Sequence, residues 1–87
     1  MYHLYIIKCA DDTLYTGIAV DLKRRIGEHN YSQLGAKYTR SRRPVKLVYS
    51  KNFCNRSTAS KEEVKVKALL RKEKLEMIRA ETLKINI

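Results

Sequence analysis

Tyr2-His3-Leu4-Tyr5-Ile6-Ile7-Lys8, then Cys9-Ala10-Asp11-Asp12-Thr13, then Leu14-Tyr15-Thr16-Gly17-Ile18-Ala19-Val20, is the stretch on which the fold turns. Both arms are rich in Tyr, Ile, Leu and Thr, which suit a pleated, half-buried surface, and Ala10-Asp11-Asp12 between them has turn composition. The stretch predicts a β-hairpin over Tyr2–Lys8 and Leu14–Val20. If Lys8 faces Leu14, then Ile7 faces Tyr15 and Tyr5 faces Gly17. Strand side chains alternate faces with a period of two, so this register puts Tyr5 and Tyr15 diagonally on one face. A slip of one residue would separate them.

Asp21 follows where an N-cap belongs. Leu22 and Ile26 share one helical face, and Arg24 and Glu28 are spaced to pair, so Leu22–His29 predicts a short helix despite Gly27. Arg25 and His29, one turn apart, project from one side of it. Asn30–Ser32 and Gly35 end the pattern. The basic run Lys37-Tyr38-Thr39-Arg40-Ser41-Arg42-Arg43-Pro44 reads as a loop, and Val45–Tyr49 after the proline reads as a third strand, which a hairpin needs for independent stability. From Ser57 or Thr58, Ala59, Val66, Leu69 and Leu70 recur at helical spacing behind capping hydroxyls. The pattern turns charged at Arg71–Lys74 before Leu75 and Ile78 resume it. Two helices, or one kinked helix, should therefore close an α+β fold: a three-stranded antiparallel sheet flanked by helices, in one domain over residues 1–87.

Composition bounds the function. Hydrophobic residues at 44% and charged ones at 32% indicate a folded domain rather than a disordered chain. Apolar runs are too short for a membrane span, and the N-terminus lacks a signal-peptide pattern, so the expected setting is cytoplasmic, with no membrane. Cys9 and Cys54 lack zinc-site spacing and are expected as two buried thiols. Nineteen Lys and Arg against nine Asp and Glu leave a net charge of +10, which suits a polyanionic partner. The densest patch, Lys37, Tyr38, Arg40, Arg42 and Arg43, is the expected contact with a nucleic-acid backbone, with Tyr38 available to stack on a base.

Tyr5, Tyr15, Arg25 and His29 carry the chemistry as a set. Singly, each has a plain structural explanation: tyrosines favour strands, and Arg25 is one of many cations. In order and spacing, with tyrosines in two hairpin strands and Arg25-x-x-x-His29 on the next helix, they resemble the GIY-YIG nuclease family. Gly35-Ala36-Lys37-Tyr38-Thr39-Arg40 and Arg56-Ser57-x-Ala59-x-x-x-Glu63 are similar to its small stand-alone members, so the likeness spans nearly the whole chain. His3, Leu4 and Thr16 depart from the triplets that name the family.

The resemblance implies a metal-dependent endonuclease or structure-selective DNA-processing domain, in a setting such as DNA repair. Its catalytic residues would be Tyr5, Tyr15, Arg25, His29 and Glu63. Glu63 would ligate one divalent cation, Mg²⁺ or Mn²⁺; periodicity alone does not choose between Glu62 and Glu63. Phosphodiester hydrolysis needs a base, positive charge at the phosphate and help for the leaving oxygen. A phenol with a pKa near ~10 must be perturbed to act as that base, and either tyrosine could be it. A chain this small should recognise DNA shape, or depend on a protein partner or homodimer, rather than read a sequence. The rival readings are a non-catalytic nucleic-acid-binding module and a small basic protein that docks on an acidic protein.

Overall fold

The computed structural model describes the backbone of residues 1–85 and the side chains of residues 1–81. Strand β1 (Tyr2–Lys8) pairs antiparallel with β2 (Leu14–Ala19) on one side and with β3 (Lys46–Phe53) on the other, giving the order β2-β1-β3. Helices α1 (Leu22–Tyr31) and α2 (Lys37–Arg40) separate the hairpin from β3, and α3 (Arg56–Ala68) and α4 (Arg71–Ile85) follow it. The fold is α+β, a three-stranded antiparallel sheet flanked by helices.

β1 is central and covered on both faces. Leu4, Tyr5, Ile6 and Ile7 are each at most 1% exposed, and full burial of an aliphatic side chain of this size is worth about 1.5–3 kcal/mol. Their alternation splits the core in two. Tyr5, Ile7 and Cys9 pack with Val45, Tyr15 and the Leu22–Ile26 stripe of α1, whereas Leu4 and Ile6 pack against Val66 of α3 and Met77 and Ile78 of α4. The hairpin pairs Lys8 with Leu14, Ile7 with Tyr15 and Tyr5 with Gly17, the register expected from its composition. Asp12 holds the turn with φ 67°, a left-handed conformation that a short polar side chain tolerates. Thr16 stands opposite Ile6 and is buried, its hydroxyl without a hydrogen-bond partner among the described residues.

Several boundaries differ from expectation. The basic run is not all loop: Lys37–Arg40 forms one helical turn, with Thr39 buried against α1. β3 extends to Phe53, because its later residues continue to pair with β1 up to Tyr2. α3 is capped by Asn55, whose side chain accepts from the Thr58 N–H, so the cap lies two residues before the hydroxyls expected to serve. The apolar stripe stops at Val66; Leu69 ends α3 and Leu70 is 71% exposed, making two separate helices. Cys9 is buried, but Cys54 falls in the bend after β3 and is exposed; both are free.

Candidate active site

The first tyrosine is positioned by an absence. Tyr5 lies across β2 above Gly17, and a Cβ at Gly17 would sit 2.6 Å from the Tyr5 hydroxyl oxygen and 2.7 Å from Cζ. A glycine inside a strand often marks such a close approach. Gly17→Ala is expected to cost about 1–3 kcal/mol, read from urea unfolding followed by circular dichroism, because the phenol must move. In a Tyr5→Leu background the cost should largely disappear. An equal cost in both backgrounds would show that the clash is not the cause.

His29, fully buried on α1, joins the two phenols. Its Nε2 is 2.7 Å from the Tyr5 hydroxyl, and its ring meets those of Tyr5 and Tyr15 edge-on at centroid distances of 5.7 and 5.3 Å. The Ala36 N–H donates to Nδ1 at 3.3 Å. Nδ1 is therefore the acceptor, and in the neutral ring Nε2 carries the hydrogen and donates it to the Tyr5 oxygen. The Thr39 hydroxyl, 3.1 Å from Nδ1, donates to the Ala36 carbonyl at 2.8 Å. Ala36 and Thr39 were not among the residues expected at the site. Gly35 was their available signal, since a Cβ there would lie 2.5 Å from the Glu28 carbonyl oxygen, so only glycine lets this loop close onto α1.

Arg25 projects from the same helix. Its Nη1 donates to Glu28 Oε1 and to the Leu34 carbonyl, both at 2.9 Å, while the guanidinium also acts on the Tyr5 phenol. Glu28, held below the usual carboxylate range chiefly by its hydrogen bond from Arg25, also pairs with Arg24 at 3.4 Å. Burial pushes Tyr5 up to about 12; Arg25 opposes this, while the phenol of Tyr15 and the carboxylate of Glu63 add to it. Burial, then the charge of Arg25, pushes His29 down to about 4, so the imidazole is neutral near pH 7.

Glu63 stands on α3 with a side chain 22% exposed, 3.4 Å from Lys67. Its charge reaches Tyr5, whereas that of Glu62 acts on Tyr49, which packs on the opposite face of the sheet. No group of three or more His, Cys, Asp or Glu converges on a cation position among the described residues. A lone carboxylate is the donor set of a cation that keeps most of its waters, as Mg²⁺ does, and is unlike a closed zinc site.

The basic segment divides. Tyr38 stacks on Tyr15 at 5.9 Å, and the Arg42 guanidinium lies 4.0 Å from the Tyr38 ring centroid while its Nε donates to Asp11 at 3.0 Å. The Tyr38 ring is thus already engaged within the protein. Arg40 donates to the Gln33 carbonyl and stays exposed, as does Lys37. Arg43 turns inward: it donates to the carbonyls of Glu28, His29 and Ser32, closing the C-terminal end of α1. Its work in the fold is to hold the helix that carries Arg25 and His29.

No described helix is long and apolar enough to cross a membrane. Residues 1–76 match the family model described as the GIY-YIG catalytic domain. A UPF0213 protein of Desulfotalea psychrophila is 52% identical over 91% of this chain and 72% of its own length, and one of Staphylococcus saprophyticus is 49% identical over 88% and 93%. Two solution NMR structures are similar: the UPF0213 protein of Bacillus halodurans, with a TM-score of 0.59 and 40% identity over 92% of this chain and 85% of its own, and an E. faecalis protein, with a TM-score of 0.64 and 36% identity over 94% and 86%. With its two phenols, arginine and histidine gathered on one sheet face and its sequence matched along most of its length, the chain belongs to the GIY-YIG family.

Proposed function

We propose that the protein is an endonuclease that hydrolyses phosphodiester bonds in DNA with one divalent cation, Mg²⁺ or Mn²⁺, held at Glu63, and that it selects DNA by shape. The observation that carries this reading is the contact of His29 with Tyr5 at 2.7 Å, beside Arg25 and within reach of the charge of Glu63. When bound, the cation would supply positive charge to the scissile phosphate and its leaving oxygen. Arg25 offers the rest of its planar fork to phosphate oxygens, since Glu28 and Leu34 occupy only Nη1. Tyr5 is the phenol we assign as base: burial holds it up at about 12, so the cation bound with DNA would have to add to the Arg25 guanidinium in favouring negative charge on its oxygen. Tyr15, edge-on to His29 and stacked on Tyr38, orients the imidazole. Lys37 and Arg40 are available to the DNA backbone, and the net charge of +10 supports attraction to it.

The test uses supercoiled, branched and single-stranded DNA with Mg²⁺, with Mn²⁺ and with a chelator. Metal-dependent cutting, strongest on branched DNA, is expected. Binding without cutting under every metal would replace this reading with a non-catalytic nucleic-acid-binding module. Absence of binding at any salt concentration would favour an acidic protein partner.

A further inference from the structure

Between the hairpin tip and the start of α4 lies a cleft of about 230 Å³, lined by Thr13, Leu14, Tyr38, Arg71 and Lys74. Arg71 and Lys74 are cations and Tyr38 ends in a hydroxyl, while the Thr13 hydroxyl is already donated to Asp11 at 2.6 Å. Arg71 donates to the backbone carbonyl of Asp12 at 2.7 Å, which fixes the guanidinium without neutralising it. Among the described residues, no ion pair within 4 Å involves Lys74. Asp11 pairs with Arg42 and Asp12 with Lys8, and the one further carboxylate, Glu73, caps the Leu70 N–H, leaving two cations against one charge. Positive charge at the cleft is therefore left for something outside the protein.

We infer that this cleft is a second binding site for the phosphate backbone of DNA, gripping it away from the catalytic pocket. The inference rests on the reading of DNA as substrate and adds a site on α4 that the basic run does not contain. Phosphate oxygens only accept, and Arg, Lys and Tyr are among the side chains that position a nucleic-acid backbone. Continuity argues the same way. Tyr38 lines the cleft and stacks on Tyr15, so one ring separates the grip from the catalytic phenols. A backbone held at both places is anchored on either side of the Tyr38 ring, contacts that position it without reading bases.

The test measures binding of labelled branched DNA with a chelator present, so that no cutting intervenes, across a salt series. Lys74→Glu is expected to weaken binding about ten-fold at low salt and to lower the slope of log affinity against log salt by about 1. Lys51→Glu makes the same change of net charge on β3, at the opposite edge of the sheet from the hairpin strand beside the cleft, and should weaken binding no more than about two-fold, the scale of an exposed charge outside the contact. Equal losses in the two variants, or an unchanged salt slope in Lys74→Glu, would overturn the cleft. Cutting is read separately, at saturating DNA with Mg²⁺, where Lys74→Glu should keep the wild-type maximal rate. Wild type that shows the expected binding but never cuts would remove the catalytic reading and leave the cleft standing.

Discussion

Cleavage of branched DNA by Arg25→Ala is expected to fall about a thousand-fold in single-turnover rate at saturating protein, with binding changed less than about three-fold. The asymmetry follows from where Arg25 sits. It is one of nineteen Lys and Arg, so it adds little to the attraction that gathers DNA. At the site it opposes the burial that raises the Tyr5 phenol, and on the proposed reading it would also offer donors where charge develops on the phosphate. Losing one preorganised donor costs about a hundred- to a thousand-fold, and the second role places the loss at the upper end. Arg25→Lys should not rescue, since an ammonium cannot reach Glu28 and the Leu34 carbonyl with one arm and the site with the other. Glu63→Gln should lose cutting without losing DNA binding, and raising the Mn²⁺ concentration should recover part of it. A rate for Arg25→Ala within about five-fold of wild type would show that the arginine is structural, because removal of a preorganised donor is a far larger effect.

The second large effect is on stability. His29 is held at about 4 in the folded protein, against 6.5 when unfolded. Between these values the unfolded chain takes up a proton that the folded one refuses. The stability that depends on a neutral His29 is thus fully present above pH 6.5 and is lost as pH falls towards 4. The loss should be about 2 kcal/mol by pH 5 and about 3 kcal/mol by pH 4. Urea midpoints taken across this range, with His29→Gln for comparison, check it. His29→Gln should be less stable at neutral pH but flatter between pH 6.5 and 5. An unchanged slope in His29→Gln would mean that the proton is taken up elsewhere. At the alkaline end the sign reverses: Tyr5, raised to about 12 from 10, contributes stability below pH 10 that is lost as pH rises through 12.

The hairpin was legible because its register follows from alternation and loop length, both local. Tyr5 and Tyr15 had to share a face once Lys8 met Leu14, and Arg25 and His29 had to share a side of α1. What those faces met was not local. Nothing in the basic run says that Arg42 covers Tyr38 while Arg43, beside it, turns under α1 to close its carbonyls. Charge composition treats the two arginines alike, and only the path of the chain separates them. Cys54 shows the same limit: burial belongs to a position in space, and a bend after β3 left it outside.

By itself, then, the amino-acid sequence determined the hairpin, the third strand, the first helix and the ordered set Tyr5, Tyr15, Arg25 and His29 that carries the family resemblance, since each of these depends on a local pattern along the chain. Tertiary packing decided that Tyr5 rests on Gly17, that the Ala36 N–H sets the tautomer of His29, and that Arg25 acts on the first phenol. These are contacts between segments remote in sequence. Hydrogen bonds and charges act through distances in space, and closing the chain on itself fixes those distances.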